Sequence, residues 1–478
     1  MSSTAVEQDA CPVAARPLSQ DLYRILLLRN DGSELLVAGQ RPPFTLPCVE
    51  IPRWERVAEN LTAAVRRRYQ LSAVCLFTPE LSVTTTDNAQ PLYQVMETRE
   101  AWIAAPDETY WLPLDSISNQ FFAEEQDLVA ITDGLRQITE FKKGEAIGPF
   151  GRPGWIEELT SWVQHEVQPY GFRLSGEFRQ LNASPTFALL RFQTNSQALW
   201  FKAVGEPNRQ EFPISVALSR LFPGFVPVVI ATHSTWNGWL TTEFPGSTLD
   251  QVRDACAWER TAQTLAELQI ASLGKTDQLL GAGCRDLRVT SLLRLVDPFI
   301  DLISQLMEQQ HKTPPPVLGK EEMRELGRQI KGALTAWAGS NVPDTLGHLD
   351  FNPGNILTSA DQCVFLDWAE AYVGPPFLTF QYLIEHLTQS TPQSLTSSQL
   401  LVDHYVSNWL CRASRVAVAS AQRLMPLLAA FACATASDWT KALLSRDERF
   451  LGYLRSLTRR MQREASALHA NRMHVGCA

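Results

Sequence analysis

The stretch His348-Leu349-Asp350-Phe351-Asn352-Pro353-Gly354-Asn355-Ile356-Leu357, followed by Val364-Phe365-Leu366-Asp367-Trp368, decides how the rest of the chain is read. Asp350 and Asn355 stand five apart on a segment that Pro353 and Gly354 keep out of a helix. Asp367 comes twelve residues after Asn355, just past the apolar run Cys363–Leu366, which reads as a strand. The order is a carboxylate, an amide, a strand and a second carboxylate. Phosphoryl transfer needs few protein parts: a carboxylate that takes or orients a hydroxyl proton, oxygen ligands for Mg²⁺, and a cation on the nucleotide phosphates. Hard Mg²⁺ draws on few protein groups and completes its shell with phosphate and water, so one Asn carbonyl and one Asp carboxylate suit it.

Singly, Asp and Asn in a loop read as turn and capping residues. Jointly, H-x-D-x-x-x-x-N ahead of an apolar strand ending in Asp-Trp reads as a site. HLDFNPGNIL with VFLDWAEAYVGPP resembles the aminoglycoside phosphotransferase and choline kinase superfamily, which shares the protein-kinase fold. The resemblance implies Asp350 as catalytic base and Asn355 and Asp367 as Mg²⁺ ligands, with ATP as phosphoryl donor. It makes His348 a brace of the loop and Trp368 and Ala371 packing residues; Glu370 reads as an exposed-helix residue or one standing behind the site.

The same resemblance places a nucleotide lobe upstream. Lys202 ends the strand Ala198-Leu199-Trp200-Phe201 and corresponds to the lysine on the α- and β-phosphates. Its carboxylate partner is Glu211, which opens the next helix, or Glu206. Glu243-Phe244-Pro245-Gly246 resembles the hinge whose backbone binds adenine, and it reads equally as a turn before Thr248 and Leu249. The phosphate-covering loop falls at Asn182-Ala183-Ser184-Pro185, without the G-x-G-x-x-G of protein kinases. One departure is Gln269, where the family often has His after Leu. The resemblance covers roughly residues 155–390; beyond about 395 it extends only to helical character.

Three regions separate along the chain. Residues 1–18 read as a disordered leader. Residues 19–145 alternate strands and helices: strands at Arg24–Leu28, Glu34–Ala38 and Leu92–Glu97, helices at Val57–Tyr69 and Phe122–Glu140. Lys142–Gly154, with four glycines and two prolines, is the linker. In residues 155–247 a helix, Trp155–Val167, precedes strands at Gly176–Leu181, Thr186–Gln193 and Ala198–Val204. A helix at Phe212–Leu221 and strands at Val226–His233 and Gly238–Glu243 complete the region. Residues 248–478 read as helical, apart from a β insert at Ile356–Leu366. The expected fold is α+β, a two-lobed kinase-like fold with a mixed β N-lobe (155–247) and a helical C-lobe (248–478). No internal repeat or low-complexity segment occurs.

Residues 19–145 resemble a Nudix-type α/β/α domain. The hairpin at Asn30-Asp31-Gly32, Leu46-Pro47, the helix Val57–Tyr69 and Trp111-Leu112-Pro113-Leu114-Asp115 carry the likeness. The Nudix Arg-Glu-x-x-Glu-Glu is replaced by Arg66-Arg67-Arg68-Tyr69-Gln70, so the metal-binding glutamates are missing. The three arginines read as a solvated helix face or a phosphate contact. A domain of binding or assembly, without hydrolase activity, is expected.

Bulk properties narrow the rest. Of the net charge of −9, residues 1–145 supply −8, with thirteen Lys and Arg against twenty-one Asp and Glu. No basic stripe points to nucleic acid. The near-neutral remainder gives no charge argument for a cationic acceptor. No run of about 18 apolar residues suggests a membrane span, and no signal peptide is apparent. Nine scattered cysteines without a CxxC pair fit a reducing, cytoplasmic setting. The expectation is an ATP-dependent phosphotransferase acting on the hydroxyl of a small-molecule alcohol. The alternative is a nucleotide-binding pseudokinase or scaffold. The sequence leaves the acceptor and the oligomeric state open.

Overall fold

The Asn30-Asp31-Gly32 turn carries the chain through three successive positive φ angles of 50°, 57° and 79°, which Asn, Asp and Gly tolerate best. In this computed structural model the described residues are 20–53, 56–82, 91–100, 104–117, 121–143, 148–311, 314–390, 398–436 and 448–475. The expected leader and the middle of the linker, 144–147, lie outside them. Internal contacts divide the chain into two compact units: Met1–Glu206 with His233–Leu240, and Pro207–Thr232 with Thr241–Ala478.

The first unit begins with β1 (Gln20–Arg29), β2 (Glu34–Ala38), β3 (Cys48–Pro52), α1 (Val57–Tyr69), β4 (Ala73–Phe77), β5 (Leu92–Thr98), β6 (Thr109–Pro113) and α2 (Glu125–Lys143). The strands form one sheet in the order β4-β5-β1-β2-β6, with β3 also paired to β1. β1 is antiparallel to β2 and β3 and parallel to β5. Ile25 and Leu27 join Leu61 and Val65 of α1 in one core. Leu26 faces α2, where a Cβ on Gly134 would lie 3.2 Å from its side chain. The sheet is therefore covered on both faces, which explains the unbroken apolar run Ile25–Leu28. Helix α2 starts three residues later than its sequence suggests. Phe122 instead bridges to Phe44, and Ala123 donates its N–H to the Phe44 carbonyl at 2.9 Å. Arg66, Arg67 and Arg68 are exposed.

After α3 (Trp155–Val167) come β7 (Leu174–Ala183), β8 (Ala188–Thr194) and β9 (Leu199–Ala203), then α4 (Glu211–Leu221), β10 (Val229–His233) and β11 (Gly238–Thr242). The sheet order is β10-β11-β9-β8-β7, and the division into units passes through β10 and β11. Within the first unit, β7 binds the edge of the N-terminal sheet. The buried Gln180 amide accepts the Cys75 N–H at 2.8 Å and donates to the Cys75 carbonyl at 2.9 Å. It thus satisfies both backbone groups of an edge-strand residue that would otherwise be left open. Arg179 pairs with Glu59 of α1. Glu97 accepts the Gly154 N–H at 2.8 Å. Phe150, buried, packs edge-on against Trp155 and Trp236 at 5.1 and 5.5 Å.

The second unit continues with β12 (Ser247–Thr248), α5 (Ala255–Ala271), α6 (Thr276–Gly281), β13 (Arg285–Asp286), α7 (Val289–Glu308) and α8 (Lys320–Ala338). Next come β14 (Thr345–His348), β15 (Ile356–Thr358), β16 (Cys363–Phe365), β17 (Ala371–Gly374), α9 (Phe377–Ser390), α10 (Ser398–Trp409), α11 (Arg415–Ala436) and α12 (Glu448–Val475). Helical spacing of Leu292, Val296, Phe299, Ile303 and Leu306 turns one face of α7 into a shared helical core. α11 is long and apolar enough to cross a membrane by length and composition, and Leu424, Leu427, Leu428 and Phe431 bury it in that core. Beyond the expected β insert, the unit holds a second small sheet, β13-β17-β14, and β12 extends the first to β12-β15-β16. Strands of two to four residues are too short to show an alternation in sequence.

Candidate active site

Two small sheets place the site residues of the second unit. β15 and β16 form a hairpin with Ile356 opposite Phe365. The Leu366 N–H donates to the Asn355 carbonyl at 2.8 Å, so Asn355 and Asp367 flank the same end of the hairpin. β14 pairs antiparallel with β17, His348 opposite Ala371, and the Leu349 N–H donates to the Glu370 carbonyl at 3.0 Å. The loop 349–355 is thus anchored at both ends.

Within the loop, two amides hold the Asp350 carboxylate. Asn352 Nδ2 donates to Oδ1 at 2.9 Å and Asn355 Nδ2 to Oδ2 at 3.1 Å. Asn355 Nδ2 also reaches the Asp350 carbonyl at 3.0 Å. Asn352 Oδ1 accepts the Gly354 N–H at 2.9 Å, closing the turn. With Nδ2 of Asn355 bound to Asp350, the amide oxygen is the atom it has left to offer a cation. Asp367 is exposed and sits in the left-handed region at φ 61°. A non-glycine residue there is uncommon, and Asp is among the residues that tolerate it best. An exposed carboxylate and an amide oxygen are the hard donors Mg²⁺ takes. Among the described residues no group of three or more His, Cys, Asp or Glu forms a cage for another metal.

His348 is 1% exposed. Its Nε2 lies 2.9 Å from the Leu366 carbonyl oxygen and donates to it, and the buried Nδ1 has no partner. The ring packs against Trp368 and Phe351 at 4.8 and 5.8 Å. Burial pushes the imidazole below its ordinary value and keeps it neutral. This geometry fits a brace between the loop and the strand before Asp367. Trp368 and Ala371 are buried, in keeping with a packing role.

Of the two readings of Glu370, the exposed helix is not met, and a residue standing behind the site is the one that remains. Glu370 lies half-buried in a 3₁₀ turn and pairs with Arg285 of β13 at 2.9 Å. Burial raises its carboxyl, the Arg285 guanidinium opposes that shift, and Asp350 and Asp367 add to it. Arg285 also donates to the Ala436 carbonyl at the end of α11. No sequence signal links Arg285 to a residue 85 positions away. Asn352 was legible in principle, since Asn-Pro-Gly is a turn signature in which the Asn side chain takes the backbone N–H two residues on. Gln269, fully buried, donates to the Pro376 carbonyl at 2.8 Å and accepts from Tyr405 at 2.6 Å. It stitches α5 to α10 and to the turn before α9.

Glu211 opens α4 with its side chain 2% exposed. Glu243 and Phe244 follow β11 in a turn where the Gly246 N–H donates to the Phe244 carbonyl at 3.0 Å. Gly246 is required there, because an added Cβ would lie 2.5 Å from the Thr358 carbonyl oxygen. Lys202 lies in the first unit, on β9, with Leu189 of β8 opposite. Its Nζ stands 5.9 Å from the Phe187 ring centre and 5.8 Å from that of Trp239. In the segment 182–187, Ser184 Oγ accepts the N–H of Phe187 at 2.9 Å and of Thr186 at 3.3 Å. The Phe150 N–H donates to the Pro185 carbonyl at 3.2 Å.

Residues 206–396 match the phosphotransferase enzyme family, APH. The matched phosphotransferase segment contains Glu211, Glu243, Phe244, Asp350, Asn355 and Asp367 and begins after Lys202. No protein of curated function matches the chain. Solved structures similar to it include the macrolide 2'-phosphotransferase MphH from Brachybacterium faecium, at 14% identity and a TM-score of 0.43, over 63% of this chain and 98% of that one. A choline kinase from Cryptosporidium parvum is similar at 14% identity and a TM-score of 0.48, over 66% and 97%. An ethanolamine kinase from Plasmodium vivax is similar at 14% identity and a TM-score of 0.44, over 69% and 94%.

Proposed function

We propose that the chain is an ATP-dependent phosphotransferase acting on the hydroxyl of a small molecule. The observation that carries this reading is the Asp350 carboxylate, held by Asn352 and Asn355 on a loop inside the matched phosphotransferase segment. Asp350 takes or orients the proton of the accepting hydroxyl. Two amide donors fix its rotamer, so it meets the hydroxyl without a reorganisation cost. Asn355 and Asp367 hold Mg²⁺, which when bound neutralises phosphate charge. Lys202 pairs with the α- and β-phosphates. The backbone around Glu243 and Phe244 takes the adenine. His348, neutral and buried, keeps the loop in register and moves no proton. Arg285 restrains Glu370, so a second carboxylate close to Asp350 does not stand uncompensated.

The donor is tested by Mg²⁺-dependent stabilisation. MgATP raises the melting temperature of the intact chain, and in Asp367→Ala this Mg²⁺-dependent increment disappears. The acceptor class is tested by ATP consumption against aminoglycosides, choline, sugars, fructosamines and amino alcohols. Stimulation by a member of the panel supports transfer. ATP loss that ignores every acceptor and is abolished by changes in residues 50–70 rather than at Asp350 contradicts it. The N-terminal layers, exposed arginines included, serve binding or assembly in this reading, as a Nudix-like domain without hydrolase glutamates.

A further inference from the structure

The phosphate-anchoring role of Lys202 leaves open how a flexible ammonium is held ready. Lysine carries four methylene groups and loses considerable rotamer freedom when fixed. Lys202 lies on β9 between two strands that each bring an aromatic ring to it. Phe187 immediately precedes β8, the antiparallel neighbour on one side, and Trp239 lies on β11, the neighbour on the other. The ammonium stands 5.9 Å and 5.8 Å from the two ring centres, within the range where an aromatic face attracts a cation.

Burial holds the Trp239 ring, and backbone hydrogen bonds hold the residue that carries the other. Trp239 is 6% exposed. It follows Gly238, where an added Cβ would stand 2.7 Å from the Phe201 ring. The backbone of Phe187 is pinned at both groups: its N–H donates to Ser184 Oγ at 2.9 Å, and its carbonyl accepts the Ser184 N–H at 3.2 Å. A ring face attracts an ammonium without accepting a conventional hydrogen bond, so the two rings take up none of its N–H donors.

We propose that Phe187 and Trp239 are positioning residues that bracket Lys202 and present its ammonium to the α- and β-phosphates of the nucleotide. The inference rests on the reading of Lys202 as the phosphate anchor. It assigns to the loop before β8 a function that its lack of glycines does not suggest. The bracket acts on the phosphates alone, so its removal lowers affinity for a nucleoside diphosphate and spares the nucleoside.

The test is the affinity of the full chain for MgADP and for adenosine, measured in Lys202→Met, Trp239→Leu, Trp239→Phe and Phe187→Leu, each checked for a cooperative melt. Trp239→Leu and Phe187→Leu each weaken MgADP by about five- to tenfold and change adenosine by less than about twofold. Trp239→Phe, which keeps an aromatic face, stays within about twofold of the parent for both ligands. If Trp239→Leu does not fold, the half-buried Phe187→Leu carries the measurement. Unchanged MgADP affinity in Lys202→Met overturns the phosphate role of Lys202 itself. A large loss in Lys202→Met with none in the leucine variants overturns the bracket alone, as does an equal loss for MgADP and adenosine.

Discussion

That Asp350, Asn355 and Asp367 come together was legible because their spacing is local: one loop, one hairpin, one turn. The partners that tune them were not. Arg285 reaches Glu370 from another strand, and the neutral state of His348 follows from burial that no spacing reveals. Glu97 is the same kind of residue in the first unit. It is 8% exposed, and burial pushes its carboxyl up to about 7; Glu157 and Asp31 add to the shift, while the Gly154 N–H and Lys142 oppose it. An unfolded glutamate titrates near 4.5. Between those values the folded chain binds the extra proton, so Glu97 lowers stability progressively as pH rises from about 4.5 through about 7. Glu97→Gln keeps an oxygen for the Gly154 N–H and removes that loss. Its melting temperature at pH 8 is expected to exceed the parent's by about 3 °C or more, with no gain at pH 4. A melting temperature at or below the parent's at pH 8 contradicts the assignment.

Elements were readable where they are long and periodic. Val57–Tyr69 and Trp155–Val167 are helices at the expected bounds, and the strands before and after Asn30-Asp31-Gly32 pair as expected. Of the short strands that hold the site, β15 and β16 fall in the expected insert Ile356–Leu366, whereas β14 and β17, four residues each and buried on both faces, were invisible. Their close approach appears instead in one glycine. A Cβ on Gly347 would lie 2.0 Å from the Tyr372 ring. That ring is fully buried and its hydroxyl is tied to Pro375 and Thr379 at 3.1 and 3.0 Å, so it has nowhere to move. Gly347→Ala is therefore expected to cost about 3 kcal/mol in denaturant unfolding, at the upper end of overpacking penalties. It displaces the strand that leads into His348. An unfolding midpoint equal to the parent's would show that β14 and β17 are not packed as described.

At the scale of the molecule, composition marks a linker at Lys142–Gly154, and the expected regions were drawn from it. Contacts within the first unit run across that linker. The Gln180 amide on Cys75, Glu97 on the Gly154 N–H, and Phe150 on the Pro185 carbonyl join residues far apart in sequence. A single buried glutamine carries no sequence signal for such a joint, and its partner is backbone. The same joint ties the N-terminal layers to β7 and to the loop that precedes β8. The N-terminal layers are thus tied to the sheet that carries Lys202. The central claim remains phosphoryl transfer with Asp350 at the accepting hydroxyl. It is tested most directly by measuring acceptor-stimulated turnover and MgATP binding side by side in the parent and in Asp350→Ala. The account predicts a loss of at least about a hundredfold in turnover with MgATP affinity within about threefold of the parent. Near-normal turnover in Asp350→Ala would contradict it.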